Sequence, residues 1–216
     1  MKKYVIFDMD GTILNTLEDL TDSVNYCLMQ FSLPVRTIDE IKSFVGDGIP
    51  KLIERAVPGG TAEAMTAEVY ALMLKYYKTH CEIKTAPYEG IVELMAELKR
   101  AGLKLAVVTN KEESAALELA SNMFGGYLDV VIGAKEGRRT KPHPDGVLDA
   151  MSILGAEDRS EVVFIGDSDV DIMTAKNAGL DCIGVLWGFR DRAVLEAVGA
   201  DSFAQSPQDI FKALVK

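Results

Sequence analysis

From Pro87 onward, short apolar runs alternate with segments of helical spacing, and no other feature limits the fold as much. "KLAVVTN", "DVVIG", "EVVFIGDS" and "DCIGVLWG" carry apolar, largely β-branched residues at consecutive positions, so neither face of such a strand is polar. A strand of that kind must be covered on both sides, which favours a parallel sheet between helices. "GIVELMAELKRAG", "KEESAALELASNMF", "PDGVLDAMSILG", "DVDIMTAKNAG", "DRAVLEAVG" and "SPQDIFKALVK" supply the helices, the last with Ser206 as its N-cap. "YVIF" at 4–7 has the same texture and reads as the first strand of the same sheet.

From Leu17 to about Lys84 no strand run occurs. "TLEDLTDSVNYCLMQF", "IDEIKSFV", "IPKLIERAV" and "TAEAMTAEVYALMLKYYKTHC" read as helices, broken by "GDG" at 46–48 and "PGG" at 58–60. Thr16 with Asp19 reads as the N-cap region of the first, and the methionines and tyrosines of 65–77 read as core. The expected division is an α/β core from 1–14 and 85–216, with a helical cap, 15–84, inserted after the first strand. An insertion there stands where open α/β sheets place their ligand crevices, and can act as a lid.

Net charge is −10, from 33 acidic and 23 basic residues, which opposes nucleic acid or an anionic membrane as the main partner. Cys27, Cys81 and Cys182 form no C-x-x-C pair and suit a reducing compartment. "MKKYVIFDMD" does not read as a signal peptide, and no long uncharged apolar stretch appears. The expected location is the cytoplasm.

Polar clusters gather at the strand ends. "VIFDMDGT" closes on Asp8 and Asp10, "VVTN" on Thr109 and Asn110, and "EVVFIGDSDVD" on Asp167, Ser168 and Asp171, while "TKPHPD" carries Lys141. Burying a carboxylate costs several kcal/mol unless it is paired or bound to a cation. In an extended segment positions two apart point the same way, so Asp8 and Asp10 can share a pocket.

Four motifs in this order resemble the haloacid dehalogenase-like hydrolase superfamily. "FDMDGTILNT", "FVGDGIPKLI", "VVTNK", "KPHP", "GDSDVDIMTAKNAG" and "GVLWGF" are most similar to its phosphoglycolate phosphatase branch. The resemblance implies a Rossmann-like parallel sheet of five or six strands with an all-helical cap, and a Mg²⁺-dependent phosphatase of small phosphorylated metabolites, as monomer or homodimer. It implies Asp8 as nucleophile, Asp10 as general acid and base, and Thr109, Asn110 and Lys141 as phosphate-binding groups. Asp8, Asp10 (through its carbonyl) and Asp167 would hold Mg²⁺, with Asp171 and Ser168 behind them. Gly46, Asp47, Gly48 and Lys51 would face the substrate from the cap. A phosphomonoester adds about two negative charges to these carboxylates, more than one lysine can offset. An oxygen-loving divalent ion can.

Simpler readings stand beside these. Asp8–Asp10 could be a capped turn, Thr109–Asn110 also caps the following helix, Asp169 reads as a helix N-cap, and His80 and His143 read as structural or exposed. The family often has Asp where Asn15 stands and Leu where Met9 stands. Rival functions are a sugar phosphomutase of the β-phosphoglucomutase kind, a pyrophosphatase or nucleotidase, and a phospho-acceptor receiver module. The receiver needs no seventy-residue insert, and its phosphorylated aspartate would lie on a middle strand, whereas Thr109 follows "LAVV" here. A dehalogenase would lack the acid at position 10, and a phosphonate hydrolase would need a cap lysine in an apolar pocket.

Overall fold

The computed structural model describes residues 1–215. The chain forms two compact units: Met1–Leu14 with the residues from Pro87 onward, and Asn15–Ala86.

The first unit holds a parallel six-stranded sheet. In chain order come β1 (Tyr4–Phe7), β2 (Leu14–Asn15), four helices of the second unit, α1 (Leu17–Gln30), α2 (Ile38–Phe44), α3 (Ile49–Ala56) and α4 (Glu63–Tyr77), then β3 (Ala86–Pro87). The remainder runs α5 (Ile91–Arg100), β4 (Lys104–Glu112), α6 (Glu113–Phe124), β5 (Val130–Ala134), α7 (Asp145–Leu154), β6 (Val162–Gly166), α8 (Asp169–Ala178), β7 (Asp181–Val185), α9 (Arg192–Ala197), β8 (Phe203–Ala204) and α10 (Pro207–Leu214). The sheet order is β5-β4-β1-β6-β7-β8, and β2 pairs with β3 apart from it. Counting only the sheet's strands, this is the 3-2-1-4-5-6 order of doubly wound folds.

Alternation along each strand explains the apolar runs. Val5 and Phe7, Leu105 and Val107, and Val163 and Ile165 face a core closed by α5, α6 and α10. Ile6, Ala106, Val108, Val162 and Phe164 face a second core with residues of α7 and α8. Both faces are dry, so both residue parities are apolar.

In the second unit α2 opens on a capping box between Thr37 and Glu40. α1 does not use Thr16 as a side-chain cap. Asp19 instead turns inward, buried, and accepts the backbone N–H groups of Ile83, Lys84 and Thr85 at 2.8–3.0 Å. The apolar residues of 65–77 are only partly core. Val69, Met73 and Tyr77, four residues apart, form the buried stripe of α4, while Met65 and Leu74 are exposed. Tyr76 stacks between Tyr26 and His80, with centroids 3.9 and 3.7 Å away, so His80 is a packing residue.

Two caps differ from expectation. Glu112, not Thr109–Asn110, caps α6, because β4 continues past Asn110 with a register break between Val108 and Glu112. Ser168, not Asp169, caps α8, in a capping box with Asp171. Ser206 caps α10 the same way, through Asp209. Among the described residues no helix is long and apolar enough to cross a membrane.

Candidate active site

β1 lies between β4 and β6, at the point where the strand order reverses. Phe7 is level with Val107 on one side and Ile165 on the other. β1 ends at this level and β6 one residue later at Gly166, while β4 runs on to Glu112, so the residues just past β1 and β6 stand beside β4 at the carboxyl edge, the place where such folds bind ligands. Asp8 is the first residue past β1, and its N–H still donates to the Ile165 carbonyl at 2.8 Å.

Lys141 is the cation at the centre. Its Nζ is 2.6 Å from Asp8 Oδ1 and 2.6 Å from Asp171 Oδ1, and all three residues are buried. Asn110 holds it there: Oδ1 accepts the Lys141 N–H at 2.8 Å and Nδ2 donates to the Lys141 carbonyl at 3.1 Å. Thr109, buried on the same strand, accepts the Lys111 N–H through Oγ1 at 3.2 Å.

Asp167 and Asp171 arrive from β6 and the start of α8. Asp167 accepts the Thr12 hydroxyl at Oδ1 (3.0 Å) and the Phe189 N–H at Oδ2 (2.7 Å). Asp171 is fully buried, and its Oδ2 accepts the N–H groups of Asp167 and Ser168 and the Ser168 hydroxyl, at 3.2, 3.0 and 2.6 Å. Both oxygens of Asp171 are thus engaged within the protein. That suits it to orienting Lys141.

Burial, then the charge of Asp171, pushes the Asp8 carboxyl well above the usual carboxylate range, against the pull of Lys141. The same two causes push Asp167 up to about 7. For Lys141 burial alone would lower the ammonium, but Asp171 and Asp8 outweigh it and hold the charge. Tyr88 is raised by burial and by the charges of Asp167 and Asp10.

One oxygen from each of Asp8, Asp167 and Asp171 lies within 4.8 Å of the others. Against the single charge of Lys141, three ionised carboxylates leave an excess of two buried negative charges. A hard divalent cation fits both that excess and the all-oxygen donor set.

Asp10 stands apart from this trio. Its two oxygens are 2.9 and 3.3 Å from the ammonium of Lys111, which is buried. Sequence spacing places Lys111 at the start of the next helix, "KEESAALELASNMF", and outside the site. The expectation followed helical spacing, whereas a two-point contact across 101 residues leaves no local signature. Thr12, Trp187 and Phe189 are likewise additions. Gly46, Asp47, Gly48 and Lys51 belong to the helical unit, where Gly48 is the N-cap of α3, Asp47 pairs with Arg55 at 2.6 Å and Lys51 with Glu54 at 2.6 Å. His143 lies 2.9 Å from Asp145, on the approach to α7.

Comparison with known proteins agrees with this architecture. A phosphoglycolate phosphatase from Caulobacter vibrioides is 34% identical over 98% of this chain and 90% of its own length. A phosphoglycolate phosphatase from Neisseria meningitidis is 33% identical over 88% of this chain and 83% of its own. A crystal structure from Lactobacillus delbrueckii subsp. bulgaricus, provisionally described as a phosphoglycolate phosphatase, superposes with a TM-score of 0.94 at 36% identity, covering 99% of each chain. The haloacid dehalogenase-like hydrolase family matches residues 5–185, so with β1, the helical insert and the β4 to β7 strand ends all inside the match, the chain belongs to that family.

Proposed function

We propose that the chain is a Mg²⁺-dependent phosphatase of small phosphomonoesters, acting through a phosphoryl group carried on Asp8, with phosphoglycolate as the first substrate to test. The observation that carries this reading is the buried trio Asp8, Asp167 and Asp171 gathered around Lys141 at the carboxyl edge of the sheet. Relatives named phosphoglycolate phosphatase, similar along nearly the whole chain, support the substrate.

Mg²⁺ would be held by Asp8, Asp167 and the backbone carbonyl of Asp10, and would supply the positive charge that lets an anionic ester approach. A carboxylate oxygen of Asp8 forms the new O–P bond as the ester O–P bond breaks. The leaving alkoxide takes a proton from Asp10. Water then attacks phosphorus, gives its proton to Asp10 and returns Asp8 as a carboxylate with inorganic phosphate released. Lys141, the Thr109 hydroxyl and the Asn110 N–H hold the other phosphoryl oxygens, the positioning that in-line phosphoryl transfer requires. Asn110's side chain serves the same end indirectly, by fixing the Lys141 backbone.

Choice among phosphate esters is assigned to the helical unit, with Gly46, Asp47, Gly48 and Lys51 as the residues to test. The cytoplasm is the proposed location, resting on cysteines that suit a reducing compartment: Cys27 is a buried free thiol and Cys182 is free and half-buried. The deciding experiment is a phosphate-release screen with Mg²⁺ across phosphoglycolate, sugar phosphates, nucleotides and pyrophosphate, with an EDTA arm. Fastest turnover on phosphoglycolate, silenced by EDTA, is expected; equal turnover with no divalent ion present overturns the reading.

A further inference from the structure

The loop after β7, "LWGF", has no part in the chemistry above, yet it closes on Asp167. The Phe189 N–H donates to Asp167 Oδ2 at 2.7 Å. Gly188 lies so near that a methyl group there would stand 2.2 Å from Asp167 Cβ and 2.5 Å from Oδ2. Gly11, at φ +88°, would likewise place its own methyl 2.3 Å from the same Oδ2. The Asp167 carboxylate is thus closely approached by two glycines, one from the turn after β1 and one from the loop after β7.

The loop is fixed at both ends. The Trp187 indole N–H donates to the Thr12 carbonyl at 3.0 Å, and the Thr12 hydroxyl donates to Asp167 Oδ1 at 3.0 Å. The Trp187 ring is 6.5 Å from that of Tyr88 and packs on the first core. Arg190 reaches Asp169, at the start of α8, at 3.7 Å.

We propose that Trp187, Gly188 and the Phe189 amide are positioning residues for a divalent cation: they hold Asp167 in the one orientation in which it serves as a ligand. The inference rests on the Mg²⁺ site proposed above. Groups that orient a ligating carboxylate typically change metal affinity by roughly 10- to 100-fold when removed. Gly188 is the sharper probe. Its backbone lies outside the left-handed region, so alanine there adds only the clash with Asp167, whereas alanine at Gly11 would also strain the turn.

The test is calorimetric titration of Mg²⁺ into the metal-free full chain, its G188A variant and W187F, which keeps an aromatic ring but loses the donor to Thr12. Circular dichroism in EDTA checks that each variant is folded. Expected are a Mg²⁺ dissociation constant at least tenfold weaker for G188A, in the range for a displaced outer partner, and a smaller weakening of about threefold for W187F, whose lost donor acts on Asp167 only through Thr12. Activity would recover at high Mg²⁺, with KM for the substrate then unchanged. Wild-type affinity in both folded variants overturns the inference, and W187F decides alone if G188A does not fold. A wild-type chain that binds no Mg²⁺ overturns instead the metal reading on which the inference stands.

Discussion

Lys111 spans both carboxylate oxygens of Asp10, at 2.9 and 3.3 Å, and is the cation that Asp10 pairs with. Lys141 is committed elsewhere, to Asp8 and Asp171. The two lysines therefore divide the acidic centre in two, and under the proposed mechanism these are the nucleophile half and the proton-transfer half. Removing Lys111 leaves the half-buried Asp10 without this counter-charge, a change that water partly screens and that costs about 1 kcal/mol. Lys111→Met is expected to lower kcat at least tenfold with KM nearly unchanged, because the group it orients acts on the leaving oxygen rather than on the phosphoryl group. The double variant Asp10→Asn with Lys111→Met should recover much of the stability and none of the activity. Steady-state kinetics and chemical denaturation read both; an unchanged kcat in Lys111→Met defeats the idea.

Asp8→Asn makes the opposite trade. It removes one of three crowded carboxylates while Lys141 keeps Asp171 as partner. A carboxamide cannot form the covalent phosphoryl intermediate, so turnover and label incorporation from a phosphorylated substrate should both vanish. The melting temperature in EDTA should stay level or rise, since the substitution relieves like-charge repulsion. A fall of several degrees would show that Asp8 contributes more through its contact with Lys141 than it costs through burial.

Mg²⁺ and pH should act together on stability. Asp167 titrates near 7 in the folded protein against an ordinary value of 3.8. Between those values the native state binds more protons than the unfolded chain, so this group's contribution to stability is full below about 4 and is lost as pH rises through 7. A cation that ligates the carboxylate offsets the loss where the group is ionised. Saturating Mg²⁺ should therefore raise the melting temperature more at pH 8 than at pH 5, and Asp167→Asn should flatten that difference. Scanning calorimetry with and without Mg²⁺ at both pH values checks it, and equal shifts at the two would contradict it.

Much of this architecture is legible in the chain because strand burial and motif order are local properties. Apolar residues on both strand parities announced a sheet covered on two faces, and the polar residues ending those runs marked its carboxyl edge. What escaped depends on partners far apart in sequence. Lys111 looked like the first residue of a helix because nothing nearby showed that Asp10 would claim it. Ser168 and Asp169 are both good caps by composition; the capping box with Asp171 selects Ser168. The Asn110 side chain meets the Lys141 backbone, 31 residues away, only once the sheet is assembled. Met65 lies on the Val69–Met73–Tyr77 line but in the first turn of α4, where it is exposed, and Leu74 falls off that line.

Asp19 offers a test of stability without chemistry. It opens no helix through Thr16; its buried carboxylate instead collects the N–H groups of Ile83, Lys84 and Thr85, where the chain leaves the helical unit. Hydrogen bonds to a charged acceptor contribute about 1.5–3 kcal/mol each in favourable cases, and orphaned donors cost a similar amount when water cannot reach them. Thr85 is buried, but Ile83 and Lys84 are exposed enough for water to replace part of the loss. Asp19→Ala is therefore expected to cost about 3 kcal/mol in total, or roughly 6–12 °C in melting temperature for a chain of this size. Asp19→Asn keeps one acceptor oxygen and should recover about half. The helical unit should open first, so amide exchange in α1 and at residues 83–85 should accelerate before exchange in β1 or β6. Wild-type melting and exchange in Asp19→Ala would mean that water satisfies those three amides as well as the carboxylate does.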